Sequence, residues 1–334
     1  MPRHLDFVTL DVFTADPFSG NPLAIVSLPA DGSAPLSQAQ KQQIAREFNY
    51  SETVFVHPVS SASPTKRSID IFLTDRELPF AGHPVVGAAT WLRLLAPLDP
   101  SRDLAQAPID TIITKAGEIR LSIFASSASV YSGVNALIPQ QAHIHKARFP
   151  LSELLKLQPS LSSTISDNDG GKTFPILSIV KGVSQIFVEL PDLAALGSVS
   201  LAPSVPTTST AQGGYLDEGW EGYGLIDIYF YVRNVWDAKV GKHVIRTRQL
   251  DAAFEDPATG SAASGLAAYL SLVDADKGGR SYDYEFIQGV EMGRRSQIGV
   301  KVLLAENRKN IESLELRGTA VKISEGRILV KEEV

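Results

Sequence analysis

From residue 5 the chain reads LDFVTLDVF, with apolar and polar positions alternating at the period of two that a half-buried strand needs. DPFSGNPLAIV then supplies turn residues ahead of a second apolar run, which predicts a loop entering another strand. In PLSQAQKQQIAREFN the spacing changes. Ile44, Ala45 and Phe48 recur at helical intervals, and Ser37 stands three places before Gln40 in the pairing of a capping box, so a helix is predicted over 38–48. SETVFVHPV and RSIDIFLT return to strand chemistry. IDTIITKAGEIRLSIF, residues 109–124, reads as a hairpin with Gly117 in its turn.

The second half has the same style. TFPILSIVKGVSQIFVEL (173–190) predicts a hairpin around Gly182, and LIDIYFYV (225–232) a buried strand. The tail from residue 295 reads as several strands with turns at Gly318 and Gly326. Residues 197–224, rich in Ser, Thr, Pro and Gly, predict a flexible surface insertion. The expectation is a strand-rich α+β protein with few long helices.

Composition narrows the function classes. The chain has 334 residues, 44% hydrophobic and 20% charged, with a net charge of −6 that argues against a nucleic-acid binder. It has no cysteine, which removes disulfides, thiol nucleophiles and thiolate metal sites and fits a reducing, cytoplasmic address. No apolar run approaches the roughly 18 residues of a membrane span, and the N-terminus has no signal-peptide pattern. The expectation is a soluble protein.

EDPATGSAASGLAAYL, residues 255–270, has the small residues of a phosphate loop but lacks its lysine, since Leu266 and Ala267 follow the second glycine. Its meaning comes from a repeat. ELPFAGHPVVGAATWL, residues 77–92, matches it at a shift of 178, pairing Glu77 with Glu255, Pro79 with Pro257, Gly82 with Gly260 and Gly87 with Gly265. Each copy predicts a turn entering a buried helix whose Gly and Ala positions allow another backbone to lie close. The open N–H groups at such a helix start can take a carboxylate. Two copies imply two similar domains. The copies differ at Leu78 against Asp256 and at His83 against Ser261, an asymmetry suited to a site fed with different polar groups from two sides.

Taken singly, these residues have plainer readings. Glu52 could be a strand-end acid, Asp256 a helix cap, His83 a satisfied buried imidazole and Ser261 a packing residue. No G-x-S-x-G elbow surrounds Ser261, which argues against a serine hydrolase. His143 and His145 share one strand face with no third ligand at convincing spacing, so no metal is expected. Arg294 and Arg295 could meet a substrate carboxylate, but no role is assigned to either.

DVFTADPFSGNPLAIV, NYSETVFV, LPFAGHPVVGAAT, EDPATGSAASGL and QGVEMGRRSQIGV occur in this order along almost the whole chain. Together they resemble the PhzF-like family, the phenazine-biosynthesis isomerases with the diaminopimelate epimerase fold. The resemblance implies two similar domains, each an antiparallel-rich sheet wrapped around a central helix, with the active site in the cleft between them. The expected boundaries are 1–128 and 129–319, with the insertion at about 197–224 in the second domain and a last strand at about 320–334 returning to the first.

The resemblance also implies acid/base isomerisation of a small carboxylate-bearing metabolite without metal or cofactor, and a homodimer by analogy. It makes Glu52 the proton carrier, with His83 and Asp256 as catalytic partners. Ser261, Thr259 and the N–H groups at Gly82 and Gly260 would bind substrate. The epimerase relatives use paired cysteines, which this chain lacks. Two alternatives stay open: an amino-acid racemase or epimerase using Glu52 and a second acid, and a non-catalytic small-molecule-binding or interaction protein with 197–224 as a partner surface.

Overall fold

The computed structural model describes residues 3–30, 34–98, 108–125, 132–165, 171–202, 214–220, 226–250, 254–275 and 279–331. The chain divides into two compact units, Met1–Pro139 with Glu315–Val334, and Gln140–Leu314. The first unit opens with β1 (His4–Val12), β2 (Asn21–Ser27), α1 (Gln38–Phe48), β3 (Thr53–Val56), β4 (Lys66–Phe72), β5 (Glu77–Leu78) and α2 (Gly82–Thr90). It continues through β6 (Thr111–Thr114), β7 (Gly117–Ala125) and β8 (Ser132–Leu137).

The second unit begins with β9 (His143–Ile144), β10 (Phe149–Pro150), α3 (Leu151–Leu157), β11 (Thr173–Phe174), β12 (Ile176–Val180), β13 (Val183–Glu189) and α4 (Leu193–Ser198). It goes on with β14 (Asp227–Asp237), β15 (Lys242–Leu250), β16 (Glu255–Asp256), α5 (Gly260–Val273), β17 (Ser281–Gln288) and β18 (Ser296–Leu304). The chain then runs through β19 (Ile311–Gly318) into β20 (Ala320–Leu329). It is a mixed α+β protein, rich in sheet.

The capping box predicted for α1 is present: Gln40 N donates to Ser37 Oγ and Ser37 N to Gln40 Oε1, each at 3.1 Å. Asn49, in the left-handed region at φ 53°, ends the helix. Ile44 and Ala45 bury the apolar face against Leu5, Val26, Phe55 and Phe72. Phe55 and Phe72 meet edge to face at 5.4 Å, a geometry that contributes about 0.5–1.5 kcal/mol beyond area burial.

The repeat read from 77–92 and 255–270 extends to whole sheets. In the first unit β1 pairs antiparallel with β2, β2 parallel with β3, β3 antiparallel with β4, β4 parallel with β6 and β6 antiparallel with β7. In the second, β12, β13, β14, β15, β17 and β18 repeat that series of directions in the same order. The register agrees as well: Ile71 faces Leu78 and Phe72 faces Glu77, while Gln249 faces Asp256 and Leu250 faces Glu255. Each member of the first hairpin has its counterpart 178 positions on.

Both central helices are enclosed. All nine residues of α2 are buried, as are most of α5. Glycine is what lets α2 seat: a Cβ on Gly87 would collide with Leu23 Cδ2 and lie 2.8 Å from Val12 Cγ2. At the equivalent Gly265 a Cβ would lie 3.1 Å from Phe187 and 3.3 Å from Gln185 Oε1.

Two turn assignments are corrected. The turn between β6 and β7 falls on Lys115 and Ala116, and Gly117 already opens β7. Gly326 lies inside β20, opposite Phe7 of β1, where a Cβ would sit 3.1 Å from the Phe7 ring. Its missing side chain makes room for an aromatic ring, a use that turn statistics do not anticipate. Among the described residues no helix is long and apolar enough to cross a membrane. Of the 197–224 stretch, residues 203–213 and 221–225 lie outside the described residues.

Candidate functional site

The chemistry-bearing residues form two constellations, one in each unit. In the first, β3 is buried along its whole length between its neighbours β2 and β4, and Glu52 immediately precedes it. The Glu52 side chain is 13% exposed, with Oε2 3.6 Å from His83 Nδ1. His83 is the second residue of α2, 3% exposed. Asn21, the first residue of β2, places Nδ2 3.2 Å from His83 Nδ1, and its Oδ1 accepts from Ser51 Oγ at 3.4 Å.

Burial holds the His83 imidazole far below its usual range, at about 3, against the small opposing effect of a backbone hydrogen bond at Pro22. The ring is therefore neutral at physiological pH. Asn21 Nδ2 and the Glu52 carboxylate both approach Nδ1, and the ring's tautomer sets which of them that nitrogen bonds. Nε2 is buried and has no partner among the described residues. A buried polar nitrogen left without a partner costs about 1–3 kcal/mol, which is recovered when a ligand supplies one. The N-cap of α2, Ala81, has no side-chain cap to offer its first-turn N–H groups.

The approach to Asn21 is conformationally costly. Phe13 and Phe18 both take left-handed backbone, at φ 63° and 65°. Phe18 N donates to Asp11 Oδ2 at 2.7 Å and Phe13 N to Thr319 O at 2.8 Å, which fixes the loop at both bends.

In the second unit Asp256 closes β16, and Pro257 and Ala258 carry the chain to Thr259, the N-cap position of α5. Asp256 is thus not the N-cap. Instead its Oδ2 accepts from Thr259 Oγ1 at 2.6 Å. Gly260 and Ser261 open the helix, both buried. The neighbouring Glu255 is not available for chemistry, because Arg248 binds it through two bonds of 2.8 Å and also donates to the carbonyls of Leu196 and Val199. Gln288 braces the loop, with Nε2 donating to Asp256 O at 2.8 Å and Thr259 N donating to Oε1 at 3.2 Å.

The structure thus brings Glu52, Gly82 and His83 together in one unit and Asp256, Thr259, Gly260 and Ser261 together in the other. Sequence reasoning missed Asn21 and Gln288, although both stood inside quoted motifs. It also missed Asp227. Thr53 faces Ala24 and Phe72, and Ile228 faces Ile186 and Leu250, so Asp227 before Ile228 is the counterpart of Glu52 before Thr53. The two acids are 175 positions apart and only the pairing register reveals the match.

Two other candidates have structural employment. Arg295 grips both carboxylate oxygens of Asp237 at 3.0 Å. His143 and His145 do gain a third neighbour, Asp217: His143 Nε2 is 2.8 Å from its Oδ2, and its backbone N–H donates to His145 Nδ1 at 3.0 Å. His145 Nε2 lies 2.8 Å from Ser178 Oγ, so both its ring nitrogens are engaged within the protein. Trp220 stacks on His143 at 4.5 Å. The cluster works as a polar clasp on the 214–220 segment.

The family described as "Phenazine biosynthesis-like protein" (PhzC-PhzF) matches residues 10–217 and 249–326, a span that contains both constellations. The chain belongs to this family. The trans-2,3-dihydro-3-hydroxyanthranilate isomerase of Pseudomonas chlororaphis is 31% identical over 97% of this chain and 99% of its own. An uncharacterised isomerase of Mesorhizobium japonicum is 29% identical over 97% and 99%. Among solved structures, a phenazine biosynthesis protein of the PhzF family from Bacillus anthracis superposes with a TM-score of 0.70, covering 98% of this chain and 100% of that one at 22% identity. The last of these speaks for the fold, and the first two make this an enzyme of the PhzF-type isomerase family.

Proposed function

We propose that this PhzF-type enzyme moves a proton within a small, unsaturated, carboxylate-bearing metabolite, with Glu52 as the proton carrier and no cofactor. The observation that carries this reading is the pairing of the mostly buried Glu52 carboxylate with a neutral His83 whose buried Nε2 has no partner among the described residues. Glu52 takes a proton from a carbon made acidic by neighbouring unsaturation, and the resulting carboxylic acid returns it at a second carbon of the same molecule. His83 offers its free Nε2 to a polar atom of the substrate, while the first-turn N–H groups of α2 hold a carboxylate. Asp256, with Thr259 and Ser261 at the start of α5, orients polar substituents of the substrate.

The test compound is trans-2,3-dihydro-3-hydroxyanthranilate, the substrate in the relative's name. Glu52→Gln keeps the side-chain volume and removes the base. Its expected kcat is lower by a factor of about 10²–10⁴, the usual contribution of a positioned acid or base. Turnover near the wild-type rate in this variant would end the proposal.

A further inference from the structure

The turn that delivers Asp256 to the second constellation has an unusual closure. A four-residue turn such as Asp256–Pro257–Ala258–Thr259 ordinarily closes when the first carbonyl accepts from the fourth N–H. Here the Gln288 carboxamide stands between those two groups, with Nε2 donating to Asp256 O at 2.8 Å and Oε1 accepting from Thr259 N at 3.2 Å. The two backbone groups also fix the orientation of the amide, because a flipped amide would set donor against donor and acceptor against acceptor. Nε2 donates a second bond, to Thr259 Oγ1 at 2.9 Å, which leaves the Thr259 hydroxyl proton directed at Asp256 Oδ2, 2.6 Å away. Tyr229, fully buried, donates to Gln288 Oε1 at 2.9 Å, and Thr247 lies behind both.

The residues around the turn are shaped to admit this brace. Gly289, at φ 73°, could not carry a Cβ without striking Arg294 O and coming within 2.7 Å of Pro257 O. Ser296 Oγ donates to Pro257 O at 2.8 Å.

The first unit lacks the device. Arg67 faces Ile112 and its counterpart Ile245 faces Phe286, so Thr114, two residues on in β6, is the equivalent of Gln288 in β17. Among the described residues the Thr114 hydroxyl bonds within its own hairpin, accepting from Ala116 N and donating to Gly117 O, each at 3.2 Å. The brace therefore accompanies the copy that carries Asp256 and is missing from the copy that carries Leu78.

We infer that Gln288 is a positioning residue for Asp256: by holding the turn open it aims the Thr259 hydroxyl at the Asp256 carboxylate. Removing the brace lets the turn close on its own backbone bond, which displaces Thr259 Oγ1 from Asp256. Among the described residues, the charged and titratable groups around Asp256 include Tyr229 of β14, kept neutral by burial, and the Arg248–Glu255 pair of β15 and β16. The inference rests on the reading of Asp256 as a site residue, and its test separates the two.

The measurement is a pH titration of the Asp256 carboxyl carbon by NMR in the full-length protein, assigned by comparison with Asp256→Asn. Gln288→Met keeps the volume without the amide, and Thr259→Val removes the hydroxyl. Both are expected to raise the titration midpoint by about 1 pH unit, the loss of one hydrogen bond to the charged form, while Thr259→Ser leaves it at the wild-type value. A midpoint unchanged in folded Q288M overturns the inference. If Q288M does not fold, an unchanged midpoint in T259V overturns it equally. Turnover of trans-2,3-dihydro-3-hydroxyanthranilate by D256N bears on the other question, since full activity there removes Asp256 from the site whatever the titration shows.

Discussion

Burial turns His83 from a cation into a neutral imidazole, and that has a thermodynamic signature independent of any substrate. Its folded-state pKa of about 3 lies below the ordinary imidazole value of 6.5, so between those two pH values the unfolded chain binds a proton that the folded chain refuses. Stability therefore rises with pH across this window and is lost as pH falls through it, by up to about 1.4 kcal/mol per unit. Buried His145, at about 4, acts in the same direction. Asp70 overlaps only the acid end of this window: burial raises it but bonds to His57 and Lys41 hold it at about 2, so its contribution is lost as pH falls from 3.8 towards that value. Denaturant unfolding of His83→Gln between pH 4 and 6 is expected to show a slope smaller by about one proton, and parallel curves would remove the depressed pKa from the account. At this scale the sequence singles out Glu52, His83 and Asp256 as acids and an imidazole within small-residue motifs, and the structure sets Glu52 beside His83 and Asp256 beside Thr259. The sequence does not single out Asn21 and Gln288, because a carboxamide that acts on a partner dozens of residues away leaves no local pattern.

The helices and strands were more readable than their connections. Ser37 and Gln40 announced α1 by a rule that operates within four residues, and the structure places both bonds there. Gly326 misled because glycine signals a turn and a seat for a neighbouring ring with the same letter. The repeat around Gly87 and Gly265 was visible in sequence, yet its two members are under different pressure, since Gly87 meets Leu23 and Val12 while Gly265 has a little more room beside Phe187 and Gln185. Gly87→Ala is expected to lower the unfolding free energy by about 1–3 kcal/mol through overpacking, and Gly265→Ala by clearly less. Thermal denaturation of the two variants side by side measures the difference. Equal losses would mean that the strands beneath α2 yield as easily as those beneath α5.

For the molecule as a whole, the duplication of sheet order could not be read from residue identities, because the strands other than the small-residue helices share little sequence. What they share is direction and register, and those exist only once the chain has paired. The first unit is completed from the far end of the chain, with β20 running antiparallel along β1 from His4↔Leu329 to Val12↔Ala320. Leu5 and Val330 pack in one apolar cluster with Phe55 and Phe72. A chain ended after Gly318 is expected to lose the cooperative unfolding of the first unit and to associate through the exposed β1 edge, as seen by calorimetry and by light scattering. A single sharp transition and a monodisperse solution would contradict this.

The same strand sets a timetable for synthesis. A ribosome releases residues at about 5–20 per second and domains ordinarily fold in the order in which they emerge. Here β20 is made long after β1 and β2, so the edge of β1 opposite β2 stays open until that strand emerges. The second unit, encoded without interruption between Gln140 and Leu314, can close while the first is still waiting.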